Sequence, residues 1–309
     1  MARPMRLSPQ APAAVVMVRP HHFTVNTETA ADNRFQVMGD DDGLAPLAHA
    51  EITRAAAALE AAGVTVHLFE DTGTDTPDSV FPNNWFSTHA GGHVAIYPMK
   101  APSRRRERRA DVIELLKSRY RVQEVVDYSG LEPDGLYLEG TGAMVLDHID
   151  RVAYAVRSDR TDPIALERFC TQFNFEPMVF EARDGQGMPI YHTNVLMCVA
   201  SDFALIGLDM MTEPARRQEI VERLEQSGRR VIGLSNDQIA RFAGNALELQ
   251  GRGRRLLALS TTARDALGAE QIAAIEETAA LLPLDIPTIE RAGGSVRCTL
   301  AGVHLTARH

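Results

Sequence analysis

The chain has 309 residues, 45% of them hydrophobic, enough to bury a sizeable core in one large domain or two medium ones. A formal charge of −9 and a pI near 5.6 argue against nucleic acid or an anionic membrane as the principal partner, because the summed field repels both. These numbers point to a globular protein whose partner is a small molecule.

At the N-terminus Arg3 and Arg6 precede AAVVMV, a run too short for the core of a signal peptide or for a bilayer span, so the expected location is the cytoplasm. A helical pattern at 44–62 and an apolar strand, VTVHLFE, follow. From residue 81 a unit repeats: a polar, turn-marked opening, an apolar strand, a short break, a second strand, a helix and a closing strand. FPNNWFSTH leads to HVAIYPM, a helix at 104–118 and RVQEVV. LEGTGAMVL, near 138, leads to RVAYAVRS and a helix at 163–173. YHTNVLMCV, near 191, leads to FALIGLDM, a helix at 213–228 and RRVIGL. FAGNALELQ, near 242, leads to RRLLALST and a helix at 263–282. For the last opening, GGSVRCTLAG near 293, the second strand is the N-terminal VVMVRP, which closes a ring.

The openings recur about every 50 to 57 residues, and five such units account for the whole length. The expected architecture is therefore one domain over residues 1–309, a five-bladed α/β propeller in which no blade could bury its faces alone. The plainer reading is an open α/β sheet of unrelated segments. No Gly/Ser/Pro-rich linker or low-complexity tract argues for two domains.

If the blades converge on an axis, the residues at their openings meet there: Asn83, Asn84, Glu139, His192, Asn194, Asn245 and Cys298. A thiol, a base near neutrality and a carboxylate are what nucleophilic catalysis needs. Cys298, in GGSVRC, reads by local context alone as readily as a buried core thiol; its place in the repeat favours function. Cys170 in LERFCTQF and Cys198 in VLMCVA stand among large apolar neighbours and read as inert core thiols. The three cysteines are too far apart for a disulfide framework or zinc spacing. The other nine histidines, His89, His93 and the pair His21–His22 among them, fall in loops or on polar faces, and no third ligand stands at metal spacing beside the pair. No metal and no cofactor is expected. SRRRERR, from Ser103 to Arg109, reads first as a solvated helix face, and Ser158 to Thr161 as a helix cap with Asp162.

These residues resemble the dimethylarginine dimethylaminohydrolase and arginine deiminase group of the pentein, or amidinotransferase, superfamily. The resemblance covers nearly the full length and rests on PDSVFPNNW (Pro77 to Trp85), APSRRRE (Ala101 to Glu107), LEGTG (Leu138 to Gly142), SDRT (Ser158 to Thr161), HTN (His192 to Asn194) and GGSVRC (Gly293 to Cys298). It implies a five-fold pseudo-symmetric propeller with Cys298 as nucleophile, His192 as acid and base, and Glu139 as acidic partner. It also implies that Arg105 and Arg160 hold a substrate carboxylate, a task suited to a planar fork of donors, with Asp78 as a further contact.

Relatives that hydrolyse a guanidinium typically carry acidic residues where this chain has Asn83, Asn84 and Asn194. A guanidinium offers only donors and a permanent charge, whereas an amide complements a neutral ureido group that both donates and accepts. The expected reaction is hydrolysis of citrulline to ornithine, ammonia and carbon dioxide through an S-carbamoyl cysteine, and the chain also resembles the citrulline-utilisation hydrolases of that superfamily. With a neutral substrate, a protonated His192 is expected to carry more of the activation of the thiol. The alternative is a guanidine hydrolase acting on arginine or methylated arginine and releasing citrulline. Lesser alternatives are an amidinotransferase and a non-catalytic binding propeller. The partner is a small amino-acid substrate, and the sequence is compatible with a homo-oligomer. The segment from His21 to Gln36 stands where relatives carry a lid or substrate loop, and reads equally as a surface loop.

Overall fold

Each apolar run of the repeat is long enough for one short strand, and strands this short need neighbours on both faces. The computed structural model describes residues 8–39 and 43–308, so Arg3 and Arg6 lie outside it. The strands are β1 (Ala14–Pro20), β2 (Thr65–Asp71), β3 (Phe86–His89), β4 (His93–Ile96), β5 (Glu124–Asp127), β6 (Met144–Asp147), β7 (Val152–Val156) and β8 (Glu176–Phe180). They continue with β9 (Met197–Val199), β10 (Phe203–Ile206), β11 (Arg230–Gly233), β12 (Leu247–Gln250), β13 (Arg255–Ser260), β14 (Ala280–Leu284) and β15 (Ala301–Gly302).

They form five sheets of three: β3-β4-β5, β6-β7-β8, β9-β10-β11, β12-β13-β14 and β15-β1-β2. In every sheet the first pair is antiparallel, across a tight turn in four of the five, and the second is parallel across a helical crossover. The last sheet joins the two ends of the chain, with Val16 opposite Ala301 and β1 parallel to β2 along its whole length. This is the five-bladed α/β propeller, closed by VVMVRP. Among the described residues no helix is long and apolar enough to cross a membrane.

The crossover helices follow from spacing and caps. In Pro163–Phe173 the buried positions Leu166, Phe169, Cys170 and Phe173 recur at helical intervals. Asp162 caps the helix by accepting from the amides of Ile164 and Ala165, and Pro163 opens it. Two expected helices are broken. The first becomes Pro102–Arg105 and Ala110–Arg119; the second becomes Thr261–Ala266 and Ala269–Glu276, restarting where Gln271 accepts from the Gly268 amide at 2.8 Å.

The turn-marked openings Pro82–Asn84, Gly140–Ala143, Thr193–Val195 and Val296–Thr299 are single helical turns ahead of their strands, and Cys298 lies within the last. His89 is not on a polar face: at the end of β3 it is fully buried, meets Ser87 Oγ at 2.7 Å and packs against Phe169, Phe173 and Phe175 of the next blade.

Candidate active site

A helical turn at the mouth of a strand aims its side chains along the strand axis, so four such turns in a ring crowd their polar groups together. Gly140–Ala143 packs against both Pro82–Asn84 and Thr193–Val195, and Val296–Thr299 closes on Pro82–Asn84. The contact at Gly142 is so close that a Cβ there would lie 2.7 Å from His192 Nδ1 and collide with the Asn84 amide. Gly293, ahead of the Cys298 turn, has φ +79°, a conformation that favours glycine.

Cys298 is buried, and its sulfur accepts from Asn194 Nδ2 at 3.2 Å and Asn245 Nδ2 at 3.4 Å. The orientation of Asn245 is fixed by chemistry: the backbone N–H of Arg297, 3.0 Å away, can only donate, so the atom it meets is Oδ1 and the NH2 faces the sulfur. Asn245 Nδ2 also donates to Asn194 O at 2.9 Å, which ties the two amides into one frame. Two N–H groups aimed at one sulfur favour negative charge on it.

His192 and Glu139 form the second pair, with Nε2 and Oε2 2.9 Å apart. Burial works against a charge on Glu139, yet Arg160, His192 and Arg104 together hold its carboxyl well below the usual carboxylate range. Burial pushes His192 down to about 4, against the pull of Glu139. At neutral pH the imidazole is therefore uncharged. An ionised carboxylate only accepts, so the ring proton sits on Nε2 and Nδ1 carries a free lone pair. This revises the expectation of a protonated His192: the donors on the sulfur are the two asparagine amides. Arg297, in the same helical turn as Cys298, lines the channel at the centre of the ring.

The basic run is placed differently from expectation. Arg105 turns outward, donating to the carbonyls of Met99 at 3.0 Å and Lys100 at 3.1 Å, and the structure does not bring it to the cluster. Its neighbour Arg104 is the buried one, paired bidentately with Glu107 at 3.0 Å and lying 3.7 Å from Asp78 and 3.6 Å from Glu139. One residue along a helical turn is a rotation of about 100°, which decides which arginine faces in. Burial among other carboxylates raises Glu107 to about 8 despite Arg104, and burial also raises Asp78.

Arg160 is brought in as expected. It lies over the Tyr191 ring, 3.5 Å from Glu139, and pairs with Asp32. Asp32 belongs to the 21–36 segment, which is a strap over the cluster: Asn26 donates to Asp78 at 2.8 Å and to Ser103 at 3.2 Å, and Glu28 accepts from Ser103. No repeat counterpart or motif marks Asn26 and Asp32 in the sequence.

Four buried side-chain atoms in this cluster have no partner: Asp78 Oδ1, Asn83 Oδ1, Asn84 Nδ2 and Asn194 Oδ1. Buried polar groups are normally satisfied, so a knot of orphans at one place marks where a polar ligand sits. Away from it, the fold supplies what the sequence spacing did not, bringing His49 and Glu70 to His21 within 4.8 Å at the surface. Arg19 pairs with Glu70 there.

The profile of the family described as N,N dimethylarginine dimethylhydrolase, eukaryotic, matches residues 19–305. No curated protein sequence matches the chain. Among solved structures, the N-terminal domain of ArgZ, a cyanobacterial arginine dihydrolase of the ornithine-ammonia cycle solved as a cysteine-to-serine mutant with substrate, superposes with a TM-score of 0.75 at 15% identity, covering 94% of this chain and 97% of that one. AgrE, as a cysteine-to-alanine mutant with L-arginine, gives 0.76 at 16% identity over 96% of this chain and 40% of its own. The dimethylarginine dimethylaminohydrolase of Pseudomonas aeruginosa, complexed with citrulline, gives 0.63 at 13% identity, covering 94% and 99%. At these identities the superpositions show a shared fold.

Proposed function

Because the chain belongs to the N,N dimethylarginine dimethylhydrolase family, and with it to the pentein superfamily of hydrolases acting on non-peptide C–N bonds, we propose that it hydrolyses the ureido group of a citrulline-type amino acid through Cys298. The observation that carries this reading is the set of orphaned amides. Asn84 Nδ2 is an unpaired donor, Asn83 Oδ1 and Asn194 Oδ1 are unpaired acceptors, and the sulfur itself is bonded by amides alone. A ureido carbonyl satisfies the donor while its N–H groups satisfy the acceptors. A guanidinium leaves the donor with nothing to meet.

In the proposed reaction the Cys298 thiolate attacks the ureido carbon and the C–N bond to the side-chain amine breaks. His192, having taken the thiol proton on Nδ1, passes it to the leaving nitrogen, and ornithine departs from an S-carbamoyl cysteine. His192 then deprotonates water, which attacks the carbamoyl carbon. The C–S bond breaks, the thiol regains its proton, and the released carbamate decomposes to ammonia and carbon dioxide. Glu139 keeps the Nε2 proton in place and stabilises the imidazolium as it forms. Arg160 receives the α-carboxylate, for which Asp32 now competes, and Asp78 Oδ1 is open to the α-ammonium.

A second reading, hydrolysis of the guanidino group of arginine or a methylated arginine, is favoured by the unpartnered Asp78 oxygen and by the arginine bound in AgrE. Product analysis with citrulline, arginine and dimethylarginine in parallel separates the two. Ornithine and ammonia from citrulline support the ureido reading; citrulline accumulating from arginine, with added citrulline untouched, supports the guanidino one.

A further inference from the structure

Behind Cys298, on the far side from the orphaned amides, the inner strands of the blades enclose a channel along the axis of the ring. Ser87 and Thr88 of β3, Leu146 of β6, Cys198 of β9 and Leu247 of β12 line it. The space in it is enough for a few water molecules or a small ion with part of its hydration. Gln10 spans the channel, donating to the carbonyls of Leu146 at 3.0 Å and Val199 at 2.9 Å and accepting from the His148 amide at 2.8 Å. The rings of His148 and His304 stack 3.9 Å apart at the same wall.

Into this space projects Arg297. Its one described side-chain hydrogen bond is from Nη1 to the Leu300 carbonyl at 2.9 Å. Among the described residues no carboxylate pairs with it, and the groups that interact with its charge are the Cys298 and Cys198 thiols and the His148 and His304 imidazoles. The arginines elsewhere in the interior are built otherwise: Arg229 pairs with Asp147 and Asp150, Arg104 with Glu107, Arg160 with Asp32. Arg297 is half-buried and lines the channel, and a guanidinium so placed without counter-charge leaves most of its N–H donors for a channel ligand. The two channel imidazoles supply no counter-charge, since an imidazole is neutral or cationic; burial holds His304 down to about 4 and keeps His148 well below its ordinary value.

We infer that the axial channel is an anion site, in which the Arg297 guanidinium binds one small monovalent anion of halide or nitrate size. The Gln10 crossbar restricts the channel to small anions. The site is coupled to the chemistry by one peptide unit. Arg297 precedes Cys298, its backbone N–H holds the Asn245 amide that faces the sulfur, and its guanidinium puts a positive charge on the residue next to the nucleophile. An anion on Arg297 offsets that charge and makes the thiol less reactive, so small anions inhibit from the face opposite the substrate.

The test uses bromide on the full-length protein. In crystals soaked with bromide, an anomalous-scattering peak within hydrogen-bond distance of the Arg297 guanidinium is expected, and it decides the site without any variant. In solution, iodoacetamide alkylation of Cys298, read by mass spectrometry at constant ionic strength, is expected to slow several-fold as bromide replaces a bulky organic anion. Arg297→Gln is expected to abolish that dependence, and Arg297→Lys to keep it. No peak at Arg297, or a bromide dependence equal in the wild type and Arg297→Gln, overturns the assignment.

Discussion

The amide nitrogen of Asn245 stands 3.4 Å from Cys298 Sγ, and its oxygen, held by the Arg297 backbone N–H, lies 3.8 Å from the same sulfur, so the side chain is fixed with its NH2 as the nearer group. A fixed donor helps a developing thiolate because it pays no reorganisation when the charge forms. Asn245→Ala is expected to lower kcat/KM by about 10- to 100-fold and to slow alkylation of Cys298. Asn245→Asp, which sets a carboxylate against the thiolate, should lose more. Equal activity in all three proteins would remove Asn245 from the account.

The resting state of His192 sets a pH limit. Its neutral form is the base, and burial holds its pKa to about 4, so activity should persist through mildly acid pH and fall only as pH drops through about 4. Glu139 opposes the depression. Glu139→Gln is therefore expected to shift the acid limb of kcat/KM to still lower pH, while lowering the rate because the imidazolium loses its partner. A pH profile taken with circular dichroism, to exclude unfolding, reads both effects; an acid limb moving upward in the variant contradicts the assignment.

Arg104 and Arg105 should behave in opposite ways. Arg104→Ala leaves Asp78, Glu107 and Glu139 buried without their shared cation, and breaking a buried pair of this kind costs about 3–5 kcal/mol. Arg105→Ala removes two bonds to carbonyls and a half-exposed ion pair with Glu132 at 3.5 Å and should cost about 1–2 kcal/mol, well short of Arg104→Ala. Urea denaturation measures the difference, and KM for the amino-acid substrate should be unchanged in Arg105→Ala. A large KM increase there would restore the role that family resemblance assigned to Arg105.

Arg160 and Asp32 test the carboxylate site. Arg160→Ala is expected to raise KM by about 10- to 100-fold, the loss of a charge-assisted bidentate contact. Asp32→Asn removes the competitor for the same guanidinium, so KM should fall. Steady-state kinetics that move KM in the reverse directions would place the substrate carboxylate elsewhere.

Much of this arrangement could be read in the chain because apolar strands and their polar openings recur at a fixed interval, and the closure through VVMVRP follows from counting openings against second strands. Cys298, His192 and Glu139 were legible from the same register together with the family resemblance. What escaped was set by phase or by distance. In SRRRERR every position is polar, so nothing in the pattern says which arginine a four-residue turn will bury. The openings are too short to show a period, so their turns are not legible as helical. Asn26 and Asp32 act from a segment with no repeat counterpart, and His89 is buried by phenylalanines of the neighbouring blade. Asn245 was in register, but only its bond to the Arg297 amide reveals what it does.

The central claim is that Cys298 becomes carbamoylated by a neutral ureido substrate. Rapid quenching of the enzyme during turnover of citrulline, followed by intact-protein and peptide mass spectrometry, tests it most directly. The account predicts a carbamoyl adduct on the Cys298 peptide that decays as ornithine and ammonia appear, and none in Cys298→Ser. Citrulline left untouched, with an amidino adduct formed from arginine instead, would contradict it, as would turnover of citrulline by the serine variant.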